Sequence, residues 1–246
     1  LPLRIMSKNV TPYKDSSLSK KEQVTLMFDG IAQKYDWLNR VLSLGLDKGW
    51  RKKLVNGVKA QEAINILDVA TGTGDVAIAL SKIPSVRIDA VDLSTKMLAV
   101  QAKQLDKLNL NDCIKLSVAD AEKLPFKEQF DAVTVAFGIR NFGHLEKGLS
   151  EMHRVLRPEG FLYILETSRP KKFPMKQAHL VMSNVIIPLL GKLFTEDKSA
   201  YAYLGKSATQ FPDGAVMCNK LLEIGFSTVT HKPLSGGVVS LYIAQK

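Results

Sequence analysis

Two cysteines in 246 residues leave no disulfide framework to build on. Cys113 and Cys218 both sit in apolar patterns, so buried thiols in a reducing compartment are expected, with a cytoplasmic location. Histidine is equally scarce. His144, His153, His179 and His231 show no ligand spacing, and no zinc-type cysteine pair exists, so no metal is expected. No apolar run spans a bilayer: the longest uncharged stretch in the C-terminal third, residues 177–191, is too short and contains His179, Asn184 and Pro188. The five residues before Met6 are too few and too poorly organised for a signal peptide and are set aside from the fold. There is no internal repeat.

What is present suits one large α/β domain. Hydrophobic residues make up 46% of the chain, enough to bury a full core. The net charge of +10 is uneven, with twelve Lys/Arg against five Asp/Glu in residues 1–60. Such an arm suits RNA, anionic lipid or an acidic partner, but its charges are interspersed with apolar residues at helical spacing, as on a solvated helix face. Residues 1–18 read as a disordered tail ahead of a single domain, 19–246. Residues 19–34 form an amphipathic pattern with Val24, Met27, Phe28 and Ile31 on one face. Residues 47–58 form a second, with Trp50 and Leu54 inward. Between them, Tyr35-Asp36-Trp37-Leu38-Asn39 alternates too tightly for a plain helical face and reads as a joint. It fits a lid carrying Tyr35 and Asp36 into a site; local capping around a core tyrosine fits as well.

Strands and helices then alternate: strands at 64–69, 86–91, 113–118, 130–137 and 160–166, with helices at 74–82, 94–108 (capped by Ser94) and 145–156. Arg157-Pro158-Glu159-Gly160 reads as a turn. Residues 174–208 are helical with proline breaks, and 212–224 form a helix with Pro212 in its first turn. Strands 225–232 and 237–245 close the chain as a hairpin around residues 233–237. The pattern predicts an α/β, Rossmann-like fold: a seven-stranded, mostly parallel sheet ending in an antiparallel hairpin, with helices on both faces.

The most informative stretch is Ile64-Asn65-Ile66-Leu67-Asp68-Val69-Ala70-Thr71-Gly72-Thr73-Gly74-Asp75, an apolar strand entering a glycine turn and then a helix. Asp92, followed by Leu93, ends the next strand eighteen residues after Gly74. A strand, a glycine turn, a helix and an acid on the neighbouring strand tip describe a nucleoside-binding unit. The turn is one residue tighter than G-x-G-x-x-G, and together with the terminal hairpin it resembles class I S-adenosylmethionine (SAM) methyltransferases. For such a donor, Asp68 and Gly72–Gly74 suit the methionine end, the following helix N-terminus favours its carboxylate, and Asp92 suits the ribose. Asp120 and Ala121 suit the adenine edge, although Asp120 also suits a cap paired with Lys123, and Asp92 a cap for the helix at 94–108. Arg140 ends the fourth strand, where ligands of such sheets lie, and a guanidinium suits an oxygen that becomes anionic. A structural pair with Glu166 or Glu151 accounts for it too. The Asn-Pro-Pro-Tyr type of loop used on amino groups is missing.

Several blocks resemble the ubiquinone/menaquinone-biosynthesis C-methyltransferase (UbiE/MenG) family over about residues 20–246. They are Tyr35-Asp36-x-x-Asn39, Leu42-Ser43-x-Gly45-x-x-x-x-Trp50, the Leu67–Asp75 turn, Ala121-Glu122-x-Leu124-Pro125-Phe126, Phe137-Gly138-Ile139-Arg140-Asn141, Arg154-Val155-Leu156-Arg157-Pro158-x-Gly160, Asp197-x-x-x-Tyr201-x-Tyr203-Leu204, Gly225-Phe226 and Gly236-Gly237-Val238-Val239. The resemblance implies SAM as methyl donor, S-adenosylhomocysteine as product, and a ring carbon of a polyprenylated quinol as acceptor: demethylmenaquinol, or alternatively a benzoquinol of ubiquinone synthesis. Carried over by position, Thr73, Asp92, Asp120 and Ala121 contact SAM. Ala136 stands where the family often has serine, Asp47 where it often has histidine, and Asp120 where it often has asparagine.

On this basis Arg140 is expected to stabilise the phenolate or order a water that takes the proton. Tyr35, Asp36 and Asn141 are expected to orient the ring hydroxyls, with Asp36 as an alternative base. Residues 19–60 would form a helical lid and 171–210 a substrate-covering insertion. Within the latter, Phe173, Met175, Leu180, Val181, Met182, Val185, Ile186, Ile187, Leu189, Leu190 and Phe194 suit a tail groove with peripheral contact to the inner face of the membrane, or a homodimer contact. A helix buried on the sheet suits them as well. No nucleic-acid partner is expected, since aromatic residues are sparse in the basic arm and no RNA-binding module is recognisable. A SAM-dependent RNA methyltransferase and a non-catalytic SAM-binding protein are the other readings weighed.

Overall fold

In the computed structural model, residues 10–13, 15–182 and 198–246 are described. Three helices lead: α1 (Lys20–Ile31), α2 (Tyr35–Leu42) and α3 (Asp47–Lys59). The sheet alternation follows with β1 (Asn65–Val69), α4 (Asp75–Leu80), β2 (Arg87–Asp92), α5 (Thr95–Leu108), β3 (Ile114–Val118), β4 (Phe130–Ala136), α6 (Leu145–Val155) and β5 (Leu156–Thr167). Then come α7 (Met175–Val181), α8 (Lys198–Gln210), α9 (Ala215–Ile224), β6 (Thr228–Leu234) and β7 (Val239–Gln245).

The seven strands lie in the order β3-β2-β1-β4-β5-β7-β6. β1 to β5 pair in parallel, and β7 runs antiparallel between β5 and β6. The order reverses at β1, with β2 on one side and β4 on the other. That switch point is where an open α/β sheet leaves a crevice at its carboxyl ends. Alternation along each strand divides the core. Leu67, Val69, Val133 and Val135 face α6 and α9, while Ile66, Ala132 and Ile88 face α3, α4 and α5. Ile66, Leu67 and Val133 are fully buried. At roughly 1.5–3 kcal/mol each for such side chains, packing on both faces holds the strand tips in place.

The sequence expectations need correction at several places. Tyr35–Leu42 is a helix, not a joint. Its buried residue is Leu38, while Trp37 is 49% exposed, a pattern too sparse for a short window to register. Two residues of the expected tail pack on the domain. Val10 and Tyr13 pack against Val24, Met27 and Tyr203, and the Tyr13 N–H donates to Gln23 Oε1 at 2.9 Å. The turn at 157–160 lies inside β5 as a bulge, with Leu156 paired to Phe130 and Phe161 to Ala132, and Glu159 at φ 63°. α9 starts at Ala215, with Gly214 as its N-cap, so Pro212 precedes the helix. Both cysteines are half-buried, not buried. Among the described residues no helix is long and apolar enough to cross a membrane. The apolar run from Val185 to Phe194, and Asp197, lie outside the described residues.

Candidate active site

The glycine turn is built from backbone. Past β1, Ala70 and Gly72 take left-handed conformations (φ 52° and 60°), and Gly74 caps α4 at φ 94°. A Cβ on Gly74 would lie 2.5 Å from Gln101 Cγ, so a side chain there has no room. The Gly72 N–H donates to Asp92 Oδ2 (2.9 Å), and the Ser94 N–H to Asp92 Oδ1 (2.8 Å). Asp92 thus ties the turn to the start of α5, while Ser94 itself makes the cap to the Met97 N–H. Burial raises the Asp92 carboxyl above its ordinary range, against the pull of these N–H donors.

Asp68 does not reach the crevice. It is 1% exposed, and its two oxygens accept from Thr71 Oγ1 (2.7 Å) and Thr134 Oγ1 (2.6 Å). Burial pushes its carboxyl up to about 6. Its hydrogen bonds join β1, the turn and β4. The helix N-terminus expected to face a carboxylate is only six residues long and carries Asp75, which pairs with Arg51 Nη2 at 3.0 Å.

Two cavities open at the sheet's carboxyl edge. The first, about 730 Å³, is lined by Gly72, Asp92, Leu93, Asp120, Ala121, Ala136 and Asn141, and covered from α1 by Lys21, Val24, Thr25 and Phe28. Lys21 Nζ pairs with Asp120 (2.6 Å) and Glu122 (3.3 Å), Lys20 Nζ donates to the Phe142 carbonyl (2.8 Å), and Ser94 Oγ donates to Asp29 (2.5 Å). Asp120 also pairs with Lys123 through the backbone, the Lys123 N–H donating to its carbonyl at 2.9 Å. The second cavity, about 1110 Å³, is lined by Asn39, Asp47, Trp50, Arg51, Arg140, Thr167, Met182 and the α8 residues Gly205, Ala208 and Thr209. Tyr35 and Phe137 line both.

Arg140 lines the second cavity but is not free. Its side chain is 9% exposed, and Nη1 donates to Glu166 Oε1 and to the Phe137 carbonyl, each at 2.7 Å. Burial opposes its charge, yet Glu166 and Tyr35 outweigh that and hold the guanidinium firmly protonated. Burial raises the Tyr35 phenol despite the Asn39 hydrogen bond and the Arg140 charge. Asp36 and Thr73 line neither cavity; Thr73 Oγ1 donates to Asp36 Oδ1 at 2.5 Å, and Gln104 Nε2 to Asp36 Oδ2 at 3.4 Å. Asp36 thus accepts a hydrogen bond on each oxygen. Asn141 falls in the first cavity rather than the second, its Oδ1 without a hydrogen-bond partner among the described residues. The sequence reading missed Lys21, Phe28, Asn39, Arg51 and Thr167. Thr167 and Glu166 end β5, beside β4, and the strand-end argument that found Arg140 reaches them too.

A nucleoside-sized crevice on a switch-point glycine turn, with an acid on the next strand tip and an antiparallel closing hairpin, defines a methyltransferase-type α/β fold. Solved structures agree. A SAM-dependent methyltransferase from Aquifex aeolicus superposes with a TM-score of 0.53 at 19% identity, covering 74% of this chain and 81% of that one. The cyclase SpnF superposes with a TM-score of 0.58 at 16% identity, covering 92% and 96%. The fold alone therefore does not fix the chemistry. Sequence does more: residues 16–246 match the ubiE/COQ5 methyltransferase family, and the chain belongs to it. It is 46% identical over 239 residues to the demethylmenaquinone methyltransferase of Bacteroides fragilis, covering 96% of this chain and 97% of that protein. It is 40% identical over 240 residues to that of Porphyromonas gingivalis (96% and 98%). It is 39% identical over 230 residues to the ubiquinone/menaquinone biosynthesis C-methyltransferase UbiE of Geotalea uraniireducens (92% and 97%).

Proposed function

We propose that the chain transfers a methyl group from SAM to a ring carbon of a polyprenylated quinol, with demethylmenaquinol as the acceptor. The observation that carries this reading is the pair of cavities meeting at Tyr35 and Phe137, one walled by the glycine turn and Asp92, the other by Arg140 and apolar side chains. The first cavity suits the donor. Its glycines leave the turn open to close backbone approach, Asp92 keeps lone pairs for ribose hydroxyls, and Asp120 and Ala121 flank a slot for adenine. When bound, SAM supplies an electrophilic methyl on a sulfonium.

The chain's own residues do the rest. Tyr35, held protonated, donates to a ring oxygen. Arg140 stabilises the negative charge that grows on that oxygen as the ring carbon becomes nucleophilic. α1 to α3 close over both cavities as a lid, and α7 and α8 cover the acceptor, so that donor and acceptor are aligned and water is kept out. Trp50, Met182 and Ala208 give the ring and the start of its tail an apolar wall.

Purified protein incubated with methyl-tritiated SAM and chemically reduced demethylmenaquinol tests the reading. Label in the quinone fraction is the expected result. Label confined to a benzoquinol acceptor would move the substrate to ubiquinone synthesis. No transfer to either quinol, with heat of binding from a nicotinamide dinucleotide but not from S-adenosylhomocysteine, would overturn the reading.

A further inference from the structure

Methylation of a ring carbon releases one proton, and the acceptor of that proton is the missing part of the site. The ring carbon's electron pair forms the new C–C bond as the C–S bond breaks, leaving neutral S-adenosylhomocysteine. The ring carbon then bears both methyl and hydrogen. Loss of that hydrogen as a proton restores the aromatic ring, and the positive charge of the sulfonium leaves the reaction as that proton. This step rests on the quinol reading above.

Among the described residues, four carboxylates stand on, or are held by or adjacent to, residues lining the acceptor cavity. Asp36 accepts from Thr73 and Gln104. Asp47 accepts from Ser43 and is paired with Arg51, which holds its carboxyl below the ordinary range against the cost of burial. Asp75 is paired with Arg51 and is 27% exposed, so water serves it. Glu166 differs. It is fully buried, its Oε1 takes Arg140 Nη1 (2.7 Å), the Thr167 N–H (2.7 Å) and Thr167 Oγ1 (3.1 Å), and its Oε2 has no hydrogen-bond partner among the described residues. A carboxylate oxygen shut away from water and left without a donor is costly. Arg140 Nε and the Tyr203 hydroxyl are also buried without a partner among the described residues, and Tyr203 lies within the electrostatic reach of both Arg140 and Glu166. Glu166 Oε2 thus belongs to a residue that directly precedes cavity-lining Thr167 on β5 and is paired with cavity-lining Arg140.

We propose that Glu166 accepts the ring proton after methyl transfer, through one water bridging Oε2 to the acceptor cavity. A single intervening water is within the reach of general-base catalysis. The division of labour is then electrostatic. Arg140 pairs with Glu166 Oε1, leaving Oε2 to take the proton, and faces the ring oxygen from the same wall. Glu166 is needed only for the second half of the reaction.

The test is Glu166→Gln, assayed with demethylmenaquinol carrying deuterium at the carbon to be methylated. S-adenosylhomocysteine should bind the variant as it binds the parent, within about twofold by calorimetry, because Glu166 lies outside the first cavity. Turnover should fall by roughly 10²–10⁴-fold, and a primary isotope effect, small in the parent, should rise in the variant because proton loss has become slow. Glu166→Asp, which keeps the charge, should recover part of the rate and shrink that isotope effect. A residue that merely positions Arg140 would slow methyl transfer without raising the isotope effect, and that outcome in Glu166→Gln overturns the proposal, as does full turnover by Glu166→Gln. If the parent itself methylates no quinol, the functional reading fails first.

Discussion

The two cavities are made in opposite ways. The wall of the glycine-turn cavity comes mostly from short contiguous pieces at the ends of neighbouring strands: Gly72 after β1, Asp92 and Leu93 at the end of β2, Asp120 and Ala121 after β3, Ala136 at the end of β4. The Gly72 N–H, held by Asp92, lies on this wall, and Lys21 with its partners Asp120 and Glu122 closes it from the lid. The acceptor cavity draws on α2, α3, the end of β4, the end of β5, α8 and the closing hairpin, and its charges come as side-chain pairs, Arg140 with Glu166 and Arg51 with Asp47. A crevice made of turns binds one ligand type on many scaffolds. A crevice made of distant side chains is what one family can vary.

The contrast is tested first where the effect is largest. Arg140→Ala leaves the Glu166 carboxylate buried and unpaired, so it should cost about 3–5 kcal/mol in a denaturant titration, with the Arg140→Ala/Glu166→Gln double variant regaining part of it. A loss below about 1 kcal/mol would mean that the pair contributes little to the second cavity's frame.

The next effect belongs to the turn. Unfolded, the Asp68 carboxyl ionises near 3.8; folded, near 6. The folded chain therefore holds that proton more tightly, and the stability from this group is fully present below 3.8 and lost as pH rises through 6, about 2–3 kcal/mol in all. Asp68→Asn should flatten the stability–pH curve across that window. An unchanged slope would contradict the burial assigned to Asp68.

Ligand binding separates the cavities more directly. Asp92→Ala removes a charged acceptor and frees the Gly72 N–H, so affinity for S-adenosylhomocysteine should drop roughly 100-fold by calorimetry. Thr167→Val should leave that affinity unchanged and raise KM for the quinol. Equal effects from both would merge the two cavities into one site. The smallest effect is at the lid. Lys21→Ala breaks a half-exposed pair with Asp120, worth less than about 1 kcal/mol, and should weaken donor binding a few-fold at low salt and hardly at all at high salt.

How far the sequence foretold each cavity follows from the same difference. The turn and its acid are local, and a spacing of glycines and a strand-end aspartate exposes them; so do the hairpin and the seven strands, because apolar alternation is a property of neighbours along the chain. The inward turn of Asp68 onto Thr71 and Thr134 was not legible, because the pattern shows that an acid ends a strand but not which way its side chain points. α2 escaped notice because only Leu38 of its eight residues is buried. Arg51 had no signal of its own, and Asn39 only its place in the Tyr35-Asp36-x-x-Asn39 block, since both line the cavity only once α2 and α3 fold back over the sheet. Glu166 was visible only as a partner for Arg140, whereas its free oxygen is a fact of three dimensions.

The central claim is that donor and acceptor meet at the boundary formed by Tyr35 and Phe137. A crystal structure with S-adenosylhomocysteine tests it most directly. The expected density places the ribose hydroxyls on Asp92, the adenine beside Asp120 and Ala121, and the sulfur facing Tyr35 and Phe137. An adenosyl group seated in the Arg140 cavity, or a ribose away from Asp92, would contradict it.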